Sequence, residues 1–386
     1  MRQTGLRIAI RAFLACGILA LAGCSVLDSL PFFGRGSERP KPEELQPNPA
    51  LISVRPAWTA RIGQVTLPLT VAVNGSTVTV ASSDGTVAAI DGATGRDLWR
   101  TNIKAPIAAG VGSDGKTAAV VTGANEAVAL SGGSETWREK LSAVAYTAPF
   151  VAGARVFVLT ADRAVTAFDG ATGRKLWTQQ RTGEPLVLRQ SGVILAVGDT
   201  LVVGLAGRMV GLNPLNGSVR WESAVATPRG INDVERLVDL VGTVSRVGDV
   251  VCTRAFQTAV GCVDASRGSV LWTKPANGAN GVGGDENFVF GSESDGKVIA
   301  WRRDNGEHAW VNEHLRYRGL TSPLALGRSV IVGDSTGLVH FLSRQDGTLL
   351  NRVTTDGSAI AAAPVVAGNT LVVVTHNGDV FGFTPD

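Results

Sequence analysis

The sequence predicts an all-β fold, an eight-bladed β-propeller of four-stranded antiparallel blades closed by joining the N- and C-terminal strands. Three observations predict it. A Gly followed four residues later by Trp recurs with a period of about 42 residues, which is the range of four-stranded propeller blades. Short runs rich in Val and Thr alternate with strong turn signals along the whole repeat region. The two ends of that region carry complementary parts of one repeat.

The period is set by Gly95/Trp99, Gly133/Trp137, Gly173/Trp177, Gly217/Trp221, Gly268/Trp272 and Gly306/Trp310, with Trp58 at the head. Gly347 and Asn351 hold the same place with the Trp lost, and Trp301 is off the period. Steps from 58 to 351 are 41, 38, 40, 44, 51, 38 and 41 residues. Upstream runs such as 76–82 and 368–375 suit half-buried strands. Asp84-Gly85 and Asn377-Gly378 are two-residue hairpin signals. Asp-x-x-Thr-Gly, as in Asp91 to Gly95 and Asp169 to Gly173, marks a second tight turn in which Gly supplies positive φ. Each periodic Trp then falls on an outermost strand, where its ring can cover the seam between blades. Only 35 residues follow Asn351, and they lack a Trp-bearing strand; the stretch around Trp58 supplies one. Joining them makes the eighth blade and leaves no free sheet edge.

The chain has 386 residues, 44% of them hydrophobic and 18% charged, so it can bury a large core. With aromatics at 6%, that core must be built from Val, Ala, Leu and Ile. Arg2, Arg7 and Arg11 precede an apolar run from Ala12 to Leu21, too short to span a bilayer, and residues 1–23 read as a signal peptide. The run ends in Leu21-Ala22-Gly23-Cys24. This resembles the lipobox of bacterial lipoproteins, which implies acylation of Cys24, palmitate included, at the mature N-terminus. Ser25 follows rather than Asp, implying an outer-membrane address facing the periplasm. Residues 24–50, with prolines at 31, 40, 42, 47 and 49, read as a flexible tether, and 51–386 as the propeller.

Loss of residues 1–23 removes three Arg, so 36 basic residues fall to 33 against 33 acidic ones. A neutral chain without basic runs gives no electrostatic case for nucleic acid. Cys252 and Cys262 remain on neighbouring predicted strands in an oxidising compartment. A two-residue hairpin turn would pair Cys252 with Val263 and separate the thiols; a three-residue turn would bring them together. On balance the expectation is no bond.

Two motif matches are set aside. Gly110 to Thr117 satisfies the phosphate-loop string, but it must open a helix to face phosphates, and residues 118–122 are strand-like. Ser113-Asp114-Gly115 instead aligns with the turn at Asn74-Gly75. Gly333-Asp334-Ser335-Thr336-Gly337 matches a nucleophile elbow, yet leads into the strand-like 338–341. His308, His314, His340 and His376 have no metal spacing, and no calcium-loop run is present. The reading is a binding protein with no catalytic residue, no metal and no cofactor.

The Asp-x-x-Thr-Gly-x-x-x-Trp unit resembles the repeat of the quinoprotein-dehydrogenase-like family. Within it, residues 51–386 with the lipobox resemble the BamB family of non-enzymatic lipoprotein propellers. The stretches that carry this are Leu320 to Pro323 with Val332 to Gly337, Pro185 to Arg189, and Arg236-Leu237 followed by Asp239. The resemblance implies an outer-membrane scaffold that binds the periplasmic polypeptide-transport domains of BamA and other assembly-complex subunits, with unfolded outer-membrane proteins as clients. The family's Leu-x-Leu-Arg contact falls on Leu186, Leu188 and Arg189, and its acidic loop on Asp239 beside Arg236; the second acid of that loop is Val241 here. Repeat spacing singles out the same place, because the consecutive steps of 44 and 51 contain 181–190 and 224–241, and insertions in a ring map to loops that carry binding. Rival readings are a quinoprotein-type enzyme and a periplasmic propeller that binds peptidoglycan or another envelope protein.

Overall fold

A computed structural model describes residues 40–181, 186–229 and 231–385. They form eight four-stranded antiparallel sheets, seven of them sequential meanders. Numbered from the first complete sheet, blade 1 spans 72–102, blade 2 107–140, blade 3 150–180, blade 4 194–224, blade 5 240–275, blade 6 282–312 and blade 7 324–354. Blade 8 takes three strands from 365–385 and its outer strand from Val54–Arg61. The two termini pair antiparallel, with Trp58 opposite Gly382 and Arg61 opposite Asp379. One buried apolar cluster runs from Ala367 and Val380 of blade 8 through Val78 and Val87 of blade 1 to Val120 and Val128 of blade 2. The expected closure is therefore a packed joint. Its composition is also as expected, Val, Ala, Leu and Ile predominating in the core.

The turns explain the repeat residues one by one. Between the second and third strands of blade 1, Asp84 Oδ1 accepts from the Ser82 hydroxyl at 2.6 Å and the Thr86 amide at 2.9 Å. Between the third and outer strands, Asp91 Oδ1 accepts from the Thr94 hydroxyl (2.8 Å) and from the amides of Thr94 (2.8 Å) and Ala93 (3.1 Å). Asp169 repeats this with Thr172 and Ala171. These donors, the threonine hydroxyl foremost, hold both carboxyls below their ordinary pKa. Asp and Thr are thus the turn's own internal ties.

Glycine does two jobs at once. Gly173 has φ +73°, and a Cβ there would lie 2.8 Å from the ring of Trp137 in the preceding blade. The indole lies flat on the bare glycine and donates from Nε1 to Gly170 O at 2.9 Å. The same contact recurs at each seam that has a Trp: Trp58 on Gly95, Trp99 on Gly133, Trp177 on Gly217, Trp221 on Gly268, Trp272 on Gly306 and Trp310 on Gly347. Trp58, Trp177, Trp272 and Trp310 also donate to the carbonyl three residues before their glycine. Trp221 has no acceptor for its Nε1. Trp301, off the period, is fully buried inside blade 6 beside the Arg254 guanidinium.

One seam has no indole. Asn351 of blade 7 faces the place where blade 8 is split between chain ends, and no turn glycine exists there for a ring to rest on. The N-terminal segment fills that place. Leu51 N donates to Leu350 O at 2.7 Å, Asn351 Nδ2 to Ile52 O at 2.7 Å, and Asn48 Nδ2 to Asn351 Oδ1 at 3.0 Å. Further back, Glu43 N donates to Arg316 O and Arg318 Nη1 to Glu43 O, while Leu45 packs on the core of blades 6 and 7. The part of the predicted tether from 43 to 50 is therefore a strap laid along blade 7, and the packed chain begins well before residue 51. The prolines misled because they suit an extended strap as well as a free linker. Residues 1–39, with the predicted signal peptide and Cys24, lie outside the described residues.

The cysteines also correct the sequence reading. The hairpin turn is three residues, 256–258, with Gln257 at φ 47°. It sets Cys252 directly opposite Cys262, Cα to Cα 4.0 Å, and the two form a disulfide.

Two outcomes are expected. Gly153 and Gly173 of blade 3 both have positive φ, but a Cβ on Gly153 meets nothing within 4 Å. Gly153→Ala should cost only the left-handed backbone, about 1–2 kcal/mol. Gly173→Ala must also displace Trp137, and should cost at least about 2 kcal/mol more. Urea midpoints compare them, and equal losses would mean that the indole contact is loose. Deleting residues 42–52 should lower the midpoint and open the seam between blades 7 and 8 to protease; an unchanged midpoint would make the strap ornamental.

Candidate partner-binding face

In an antiparallel meander the turns alternate ends, so each blade's second-to-third turn and the connector to the next blade lie on one face. The turns that seat the tryptophans lie on the other. The connectors 181–193 and 225–239, of 13 and 15 residues against 4 to 11 elsewhere, flank blade 4 on the first face. Loops on a rigid ring are where a binding site is expected.

Leu186 is 41% exposed and Arg189 is exposed, whereas Val187 and Leu188 are half-buried. Thr182 to Pro185 lie outside the described residues. The segment is held from beneath. Asp239 Oδ2 accepts the Leu188 amide at 3.0 Å, and its Oδ1 pairs with Arg163 Nη1 at 3.2 Å. Arg163 Nη2 donates to Leu186 O at 3.1 Å. Downstream, Gly192 N donates to Thr147 Oγ1 at 2.9 Å and Gly242 N to Ser191 O at 2.9 Å. Arg189, Gln190 and Ser191 then line the rim of a central funnel of about 830 Å³.

Asp239 is thus half-buried and bonded within the chain by both carboxylate oxygens. Val241, two positions on, is buried and bridges Gly192. Arg236, half-buried, sits in a short helical turn where its amide donates to Asn232 O at 3.2 Å. That turn is closed reciprocally, Glu235 N donating to Asn232 Oδ1 and Ile231 N to Glu235 Oε2. It leaves Ile231 and Val234 99% and 72% exposed.

Sequence reasoning missed Arg163, Ile231 and Val234. A signal for Arg163 existed. In the second-to-third turn it occupies the place held by Gly85, Gly296, Gly337 and Gly378 in other blades, all at positive φ. Arg163 adopts φ 62° there and is 6% exposed, a conformation that costs a non-glycine residue about 1–2 kcal/mol.

The two discarded motifs are turns, as expected. Lys116 is exposed on the hairpin turn between 107–113 and 117–122. Gly333 to Gly337 joins two strands of blade 7. There Asp334 accepts from Arg318 Nε at 2.7 Å and contacts His340 Nε2 at 3.0 Å. Burial acts to raise the Asp334 pKa, but His340, the Leu338 amide and Arg318 outweigh it, so Asp334 stays ionised far below the usual range. Burial keeps His340 below its ordinary value against the pull of Asp334. This is a buried tie within blade 7. Among the described residues no three His, Cys, Asp or Glu side chains gather as a metal would require.

A family model described as "Outer membrane protein assembly factor BamB" matches residues 83–312. A protein of that name from Burkholderia pseudomallei is 38% identical over 375 residues, 96% of each chain. The chain belongs to the BamB family. A Bordetella pertussis BamB is 36% identical over 95% of each chain. The crystal structure of BamB from Moraxella catarrhalis superposes with a TM-score of 0.78 at 25% identity, covering 86% of this chain and 99% of that one. A quinohemoprotein alcohol dehydrogenase from Comamonas testosteroni matches at TM-score 0.66 and 15% identity, covering 88% of this chain and 78% of its own, a likeness of fold alone. The fold of this chain is therefore shared with that BamB structure, and the two long connectors are where this chain's candidate contact residues sit.

Proposed function

We propose that this chain is a non-enzymatic, lipid-anchored scaffold of the outer-membrane β-barrel assembly machinery, facing the periplasm and binding the periplasmic polypeptide-transport domains of BamA. Kinship with outer membrane protein assembly factors supports the setting. The observation that carries the contact is the exposure of Leu186 and Arg189 on a connector tied down at several points. A leucine exposed beside an arginine on a fixed backbone is the chemistry of an interface anchor, apolar burial with a fork of donors. Because the segment is already ordered, binding costs little further conformational entropy. Leu188 is half-buried and lines a small pocket with Arg163 and Asp239.

Cys24 would carry the lipid, since residues 42–53 are spent on the ring and contain no amphipathic helix. Cys24→Ala should leave a folded propeller that no longer fractionates with outer membrane in high salt. Quantitative retention of that variant in the membrane would remove the lipid from the proposal.

Replacing Leu186, Leu188 and Arg189 together by Ala should leave the circular dichroism of the ring unchanged and abolish capture of the BamA periplasmic region. Anchors of about 2 kcal/mol each amount to roughly two or more orders of magnitude in affinity. Unimpaired capture by the folded triple variant would move the interface elsewhere.

A further inference from the structure

We propose that Arg163 and Asp239 are positioning residues, a largely buried ion pair whose task is to set the course of the segment that carries Leu186, Leu188 and Arg189. The inference rests on the reading of that segment as the partner contact. Three separate pieces of chain meet at the pair. Arg163 comes from a turn within blade 3, Asp239 from the connector between blades 4 and 5, and the gripped backbone from the connector between blades 3 and 4. Each partner divides its valence in the same way. Arg163 gives Nη1 to Asp239 and Nη2 to Leu186 O; Asp239 gives Oδ1 to Arg163 and Oδ2 to Leu188 N.

The segment is therefore held by one carbonyl and one amide two residues apart, as a neighbouring strand would hold it. The side chains of Leu186 and Arg189 are left outside the grip. A planar guanidinium can serve two acceptors in fixed directions, which a lysine ammonium cannot reproduce. Side-chain exposure of 8% for Arg163 and 18% for Asp239 keeps the pair largely out of solvent, so salt screens it weakly.

The turn geometry supports a task beyond stability. Glycine occupies this turn position in blades 1, 6, 7 and 8 at positive φ. An arginine placed there bears backbone strain that glycine would relieve; blades 2 and 5 also carry a non-glycine residue at positive φ in this turn, Asn125 and Gln257. In blade 3 the side chain of that turn residue reaches the segment in question, donating to Leu186 O. Asp239 is likewise assigned differently from a surface acid: it acts through the backbone it grips, and a partner meets the result.

The test compares Arg163→Gly, Asp239→Asn, Arg163→Lys and Leu186→Ala in the full lipidated chain. The readouts are thermal unfolding, amide hydrogen exchange at Leu188 in the isolated protein, and affinity for the periplasmic region of BamA. Arg163→Gly suits the turn, so the ring should stay folded. Leu188 exchange should accelerate, and affinity should fall about tenfold or more. Asp239→Asn should do the same, the double substitution should be little worse than either single one, and Arg163→Lys should rescue neither readout. Leu186→Ala should lose affinity with Leu188 exchange unchanged, which separates contact from positioning. Affinity lost in Leu186→Ala but intact in Arg163→Gly overturns the positioning role alone. Affinity intact in both overturns the partner reading of the segment and this inference with it. Unaltered Leu188 exchange in Arg163→Gly and Asp239→Asn overturns the grip itself.

Discussion

The ring depends on one contact, an indole laid flat on a glycine of the next blade. A four-stranded sheet cannot bury both faces alone, so each blade needs its neighbours at a fixed angle. The turn glycine sets that angle because its positive φ and its missing Cβ are used together. The one makes the turn; the other lets Trp137 reach Gly170 O over Gly173. Seven such contacts index eight blades. They leave the opposite face free of this duty, and that is the face where the two connectors have grown.

Much of this was legible because a repeat writes each constraint many times over. The Trp period gave the blade number, and the unequal ends gave the closure of Val54–Arg61 on 379–385. Features that occur once were harder to read. The three-residue turn at 256–258 differs from a two-residue one by a single residue, yet it decides whether Cys252 faces Cys262. The strap was hidden because its ties are to backbone and to Asn351, Arg318 and Arg352 some 300 residues away in sequence. No periodicity records such contacts.

The candidate site divides in the same way. Leu186 and Arg189 could be placed by spacing and resemblance, since the connector lengths and the motif coincide. What holds them could not, because Arg163 lies in a different repeat and looks like an ordinary surface residue in a turn. Comparing the turn position by position across blades exposes it: an arginine where glycine is the rule. Deviation within a repeat is informative where the consensus has a steric reason, and positive φ is such a reason.

The strap has a mechanical consequence. Chain entering from residue 42 runs along blade 7, bonded at Glu43, Asn48 and Leu51, before it turns into the strand that completes blade 8. A pull on the N-terminal segment is thus borne first by Arg316 and Arg318 of the connector into blade 7, and next by the edge of that blade. The strand from Val54 to Arg61, on which closure of the circle depends, lies downstream of that load. The seam that lacks an indole is the one the leading segment clamps, so the strap works as strain relief for the joint that closes the ring.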